Sequence, residues 1–248
     1  MAGHSKWANI KHRKGAQDAK RGKVFTKLIR EITTAARQGP DPNANPRLRT
    51  AILAARAQNM GKDTIEKAVK RGSGNTDGME FTEMRYEGYG PGGVAMIVDT
   101  LTDNTNRTVA NVRHLFTKFG GSLGTSGCVS FMFDRKGVIA YEKVDEDELM
   151  EAALEAGAED VEEAGDDAFE VITDPDDFET IHSALQEAGF TSPTSAEVTM
   201  RPQNSTTLDA GKAETMLKLM DALEDDDDVQ HVHANFDIPD EVMEALSA

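Results

Sequence analysis

MRYEGYGPGGVAMIVDTLTDNTNRTVANVRHLFTKF, residues 84–119, is the stretch on which the fold turns. MRYEGYG and VAMIVDTL read as two strands around the turn GYGPGG. Val109, Val112, Leu115, Phe116 and Phe119 then recur at helical spacing, which predicts a helix over residues 105–119. A glycine-rich stretch, GGSLGTSG, leads into CVSFMF (residues 128–133), expected as a further strand. This unit has a strand–helix–strand order but lacks a second half. The missing pieces arrive late in the chain, as a helix over residues 208–223 and a strand in VQHVHANF, residues 229–236.

Between them lies a second, complete set. GVIAYE (137–142) is expected as a strand, residues 146–156 as a helix, AFEVIT (168–173) as a strand, residues 176–188 as a helix and residues 196–201 as a strand. VEEA (161–164) supplies a short extra strand, and the resulting order is that of a ferredoxin-like, split βαβ sandwich. Residues 135–203 are therefore expected as a domain inserted into a split domain made of residues 76–134 and 204–248. IPDEVMEAL closes the chain as a short helix.

Ahead of this stands a different kind of segment. Val24, Phe25, Leu28, Ile29, Ile32 and Ala36 form one apolar helical stripe, with Lys20, Lys23, Lys27, Arg30 and Arg37 on the opposite face. Gly39-Pro40 stops this helix. A second follows Pro46, burying Leu48, Ala51, Ile52 and Ala55, and a third starts near Asp63 and shows Lys67, Lys70 and Arg71. Residues 72–78, GSGNTDG, read as a linker. The expected fold class is thus α+β: a three-helix basic domain over residues 1–75, followed by two ferredoxin-like α/β modules, the second inserted in the first.

Charge separates these parts sharply. Residues 1–75 hold seventeen Lys and Arg against five Asp and Glu, a net of +12, in a chain whose overall charge is −17. The remaining residues carry −29, and residues 134–203 alone carry −17. Cations gathered in one domain of an acidic protein are the electrostatic footprint of phosphate binding. The candidate contacts are Lys6, Lys11, Arg13, Lys14, Lys20, Lys23, Lys27 and Arg30, with Trp7 and His12 placed to stack on bases. For Trp7 the alternative is an apolar anchor for the arm of residues 1–19. TDNTNR (102–107) offers helix capping by Asn104 or Thr105, or a weaker second anion contact through Asn104, Arg107 and Arg113. The acidic inserted module would be repelled by phosphate and is expected to face away from it or to meet a protein partner.

Other motifs carry less. GYGPGG satisfies G-x-G-x-x-G, but a strand follows where a dinucleotide site needs a helix, so a turn is expected. His231 and His233 share one face of a strand with no third ligand at suggestive spacing, and an exposed strand face is expected. EDDDD (224–228) lacks the order of a calcium loop and reads as a solvated turn. No catalytic motif, cofactor or metal is indicated. The single Cys128 excludes an internal disulfide and, with no apolar run long enough to span a bilayer, points to a cytoplasmic protein without a membrane partner; the oligomeric state stays open.

MAGHSKWANIKHRK, GKDTIEKAVKRG, YEGYGPGGVA and TDNTNRTVANVRHLFTKFGGSLG together resemble the YebC family, over essentially the whole chain. The family's members are described as probable transcriptional regulators, and its mitochondrial relatives as translational activators of cytochrome c oxidase. The resemblance implies one helical and two α/β domains and a non-enzymatic regulator of gene expression that binds DNA. The alternative it leaves is a ribosome-associated factor that binds ribosomal RNA.

Overall fold

The computed structural model describes residues 17–74, 81–165 and 167–247. It opens on helices α1 (Gln17–Ala36), α2 (Pro46–Ala57) and α3 (Lys62–Ser73). Asn45 joins the first two. Its Oδ1 accepts from the Leu48 amide at 3.1 Å, capping α2, while its side-chain amide donates to the carbonyls of Ala35 and Gly39, both at 2.8 Å. Pro46 then occupies the first helical position, where no amide hydrogen is needed. The helices enclose Ile32, Ala35, Leu48, Ala55, Ile65 and Ala68. A Cβ at Gly72 would stand 2.1 Å from the Thr33 carbonyl oxygen, so α1 and α3 touch backbone to backbone at that point.

The chain continues through strands β1 (Thr82–Tyr89) and β2 (Ala95–Thr102), helix α4 (Thr105–Lys118) and strand β3 (Ser122–Leu123). A second set follows: β4 (Phe133–Glu142), α5 (Glu146–Glu155), β5 (Asp160–Gly165), β6 (Ala168–Thr173), α6 (Phe178–Glu187) and β7 (Ser195–Pro202). The return leg is β8 (Thr206–Thr207), α7 (Ala210–Glu224), β9 (Val229–Ala234), β10 (Phe236–Asp237) and α8 (Asp240–Ser247).

The second set forms an antiparallel sheet in the order β5-β6-β4-β7, with the first and third strands of the set at the centre, as a ferredoxin-like sandwich requires. The first sheet runs β3-β1-β2-β9. Its two central strands are consecutive, because the tight turn at Pro91–Gly93, with φ of 78° at Gly92 and 80° at Gly93, pairs β1 directly with β2. This is where it departs from the ferredoxin-like order. The late-arriving α7 and β9 do complete it: Met216, Leu219, Met220 and Leu223 of α7 and Val232 of β9 join Met96, Val98, Val112 and Phe116 in one core. The other face of this sheet meets the inserted unit, where Ala95, Ile97, Val129 and Phe133 are buried with Met200 of β7 against them.

CVSFMF is not a strand up to Phe133, where β4 begins. Residues 130–132 form a 3₁₀ turn, and the strand beside β1 is Ser122–Leu123, inside the glycine-rich stretch. The cause is Glu87, 3% exposed. Its carboxylate accepts from the amides of Gly127 (2.8 Å), Val129 (2.9 Å) and Ser130 (2.8 Å), taking those donors away from any ladder. Burial alone would push its pKa up; the three amides outweigh that and hold it below the ordinary 4.5. A lowered folded pKa means the contribution is complete above the ordinary glutamate range and is lost as pH falls through the folded value. Glu87→Ala leaves three amides without an acceptor and is expected to cost about 3 kcal/mol at pH 7. Urea melts should show the difference from wild type shrinking below pH 4 or so; a pH-independent difference would mean that the charge is not what holds the loop.

Candidate nucleic-acid interface

Of the cations expected to meet phosphate, Lys6, Lys11, Arg13 and Lys14 lie outside the described residues, as do Trp7 and His12. Lys20 belongs to α1, but its side chain is outside the description. Lys23, Lys27 and Arg30 are placed clearly, and they do not face open solvent as the helical pattern predicts. They line one side of α1 and meet residues 224–228, the turn between α7 and β9. Lys23 Nζ lies 3.4 Å from Asp225 Oδ1 and donates to the Asp225 carbonyl at 3.1 Å. Lys27 Nζ donates to the Glu224 carbonyl at 2.6 Å. Arg30 Nη1 donates to the Asp227 carbonyl (2.6 Å), to Asp228 Oδ1 (2.7 Å) and to the Leu101 carbonyl (3.3 Å), and its guanidinium stands over the Phe81 ring at 5.4 Å.

The expectation of a solvated turn at EDDDD holds for Asp225 and Asp227, which are exposed, and is corrected at Asp228. Asp228 is 3% exposed and sits at a junction of three elements. Besides Arg30 it accepts from Arg107 Nη2 at 2.7 Å, from Thr108 Oγ1 at 2.8 Å and from Thr102 Oγ1 at 3.2 Å. Burial would raise its pKa, but Arg107 first, then Thr108 and Arg30, hold it below the ordinary 3.8. A buried carboxylate needs such company, and the basic helix supplies part of it. At the next residue of α1, Glu31 forms a two-pronged pair with Arg47 at 2.7 and 3.2 Å, and Arg47 also reaches Glu83 of β1 at 2.5 Å, opposite the Leu101 whose carbonyl Arg30 meets.

At TDNTNR the structure shows the helix cap. Asn104 Oδ1 accepts from the Arg107 amide at 3.0 Å at the start of α4. The anion that Arg107 meets is the chain's own: Asp228, with Asp103 at 2.8 Å. Arg113 is exposed on another side of the helix.

Other cations of the helical unit remain outward. Arg56 on α2 and Lys67, Lys70 and Arg71 on α3 are exposed and make no ion pair with another described residue. Lys62 stands 3.6 Å from Glu66. Lys70 and Arg71 occupy the last turn of α3, where positive charge is favoured by the helix dipole.

The two histidines of β9 stack at 6.1 Å between centroids, and the expected exposed face holds for His231 only. His233 is buried by β7: Thr199 Oγ1 lies 3.2 Å from its Nδ1 and Asp99 Oδ2 3.4 Å from its Nε2, while Arg85 pairs with Asp99 at 2.7 Å. Among the described residues no group of three or more His, Cys, Asp or Glu could hold a metal ion, and no helix is long and apolar enough to cross a membrane.

Two family models match the chain: the TACO1/YebC N-terminal domain over residues 5–75 and the TACO1/YebC second and third domain over residues 81–236. The chain belongs to the TACO1/YebC family. It is 64% identical to a probable transcriptional regulatory protein of Magnetococcus marinus and 62% identical to one of Syntrophotalea carbinolica, covering 100% of both chains in the first case and 98% of both in the second. The crystal structure of a conserved hypothetical protein from Aquifex aeolicus superposes with a TM-score of 0.83 at 48% identity, over 93% of this chain and 96% of that one.

For this YebC-family chain the sequence reading missed the acidic turn as a partner of α1. The signal was present in outline: five consecutive acids run from the last residue of α7 into the turn after it, and a helix of regularly spaced cations stands elsewhere in the chain with opposite charge. What periodicity could not supply was the distance between them.

Proposed function

We propose that the protein is a regulator of gene expression that binds nucleic acid, DNA in the first instance, through its basic N-terminal unit. The observation that carries this reading is the charge segregation, +12 in residues 1–75 against −29 in the rest. The names of the relatives, probable transcriptional regulatory proteins, point the same way. The contacts fall to the arm of residues 1–19, including Lys6, Lys11, Arg13 and Lys14, and to the outward cations Arg56, Lys67, Lys70 and Arg71. The acidic inserted unit keeps the remainder of the surface off the phosphates and is available to a protein partner.

Fluorescence anisotropy of a labelled 20-bp duplex against the full chain tests this. With about four phosphates neutralised, the slope of log K against log salt is about −3.6, so affinity drops on the order of 10²-fold between 50 and 200 mM salt. A slope near zero, or no binding at 50 mM, would sink the proposal. Tighter binding to a ribosomal RNA hairpin, with co-sedimentation of the tagged protein with ribosomes in cells, would transfer it from transcription to translation.

A further inference from the structure

Lys23, Lys27 and Arg30 stand at i, i+4 and i+7, on one side of α1 and along about 10 Å of its length. The turn opposite offers them a row of oxygens: the Asp225 carboxylate, the carbonyls of Glu224, Asp225 and Asp227, and the Asp228 carboxylate. A row of anionic and carbonyl oxygens facing three evenly spaced cations is what a phosphate backbone would also present. We infer that the 224–228 turn is an internal stand-in for nucleic acid, masking these three cations until a polyanion displaces it. The inference rests on the nucleic-acid reading above and adds a regulated second half to that site.

The energetics of the contact favour displacement. Lys23 and Asp225 have side chains 44% and 59% exposed, and a pair so solvated contributes little. Lys27 and Arg30 each donate to a neutral carbonyl of the turn, which water can satisfy after separation. Asp228 is the buried charge, and it is not orphaned when α1 leaves: Arg107, Thr102 and Thr108 stay with it on the same unit. Arg47 bridges Glu31 of α1 to Glu83 of β1, and Glu83 stands opposite Leu101, whose carbonyl Arg30 reaches; this partly exposed tie and the Arg30–Leu101 bond must let go together with the turn. The released face of α1 then offers a phosphate chain three further cations. A masked site lowers apparent affinity by the fraction of molecules that are open, so loosening the mask tightens binding.

Two readouts on the full chain test this. A water-soluble carbodiimide joins an amine to a carboxylate in contact with it, so the free protein should yield a Lys23–Asp225 cross-link measurable by mass spectrometry. Saturating 20-bp duplex DNA, or an RNA hairpin of equal length, should cut that yield by more than half; whichever acts at the lower concentration identifies the source of the phosphate. In parallel, D225N/D227N should bind the duplex about three- to tenfold more tightly than E151Q/E155Q, which makes the same change in net charge on the inserted unit, as expected if the open form is a minor state. Binding with an undiminished cross-link and equal affinities of the two variants overturns the inference and leaves the nucleic-acid reading standing. Failure of the wild-type chain to bind either probe at 50 mM salt overturns that reading first.

Discussion

Asp228→Ala should lower the stability of the protein by about 3 kcal/mol at pH 7. Removing one member of a buried ion cluster typically costs about 3–5 kcal/mol, because the partners are left desolvated and unpaired. The low end applies here. Arg107 has a side chain 45% exposed and recovers water, whereas that of Arg30 is 17% exposed and recovers less. Thr102 and Thr108 are both fully buried, and of the two hydroxyls only that of Thr108 has another carbonyl to turn to, that of Asn104 at 3.0 Å. Asp228→Asn keeps the shape and one acceptor and should cost less, about 2 kcal/mol, since hydrogen bonds to a charge are the stronger kind. Because the folded carboxylate titrates below its ordinary range, the wild-type advantage should be complete near neutrality and disappear as pH falls below about 4. Urea denaturation across pH 3–7 measures both effects. A loss under about 1 kcal/mol for the alanine variant would mean that water already reaches the cluster.

Reversing Lys67, Lys70 and Arg71 to Glu should weaken duplex binding by 10²-fold or more while leaving the fold intact. These side chains are exposed, and none is engaged in an ion pair with another described residue, so reversal breaks nothing in the helical core. If each cation neutralises one phosphate, the salt slope should fall by about 2.7 together with the affinity. The same reversal at Lys23, Lys27 and Arg30 would confound two effects, since it also sets like charges against the 224–228 turn. A triple α3 variant with a native circular-dichroism melt and unchanged affinity would exclude this helix from the interface and leave the N-terminal arm as the carrier.

The sequence and the structure part company at identifiable places. Periodicity held where a helix has one buried face, since α4 buries Val112 and Phe116 as its spacing predicts; β6 was legible instead as a short apolar run and is buried along its whole length. The split sheet was legible because a strand–helix–strand unit without its complement must find one. Its strand order was not, since the choice between a ferredoxin-like crossover and a direct hairpin rests on the geometry of four residues, Gly90–Gly93. CVSFM reads as a strand by composition but is bent by Glu87, a residue forty positions away whose demand for hydrogen-bond donors no local pattern reveals. The same is true of α1. Alternation told correctly which side is apolar, yet "polar side" proved not to mean "solvent side", because an acidic turn nearly two hundred residues later takes that place.

That separation has a consequence for how the molecule comes into being. Arg30 and Asp228 are 198 positions apart, and β2 waits for β9 across a complete intervening unit. A chain emerging from its N-terminus forms the helical bundle early, from local contacts, and long before the residues that will cap its cationic row exist. Throughout that interval the young chain is a bare polycation attached to an RNA-rich machine. The order of synthesis thus exposes it to the most abundant phosphate surface in the cell before its own carboxylates arrive to compete.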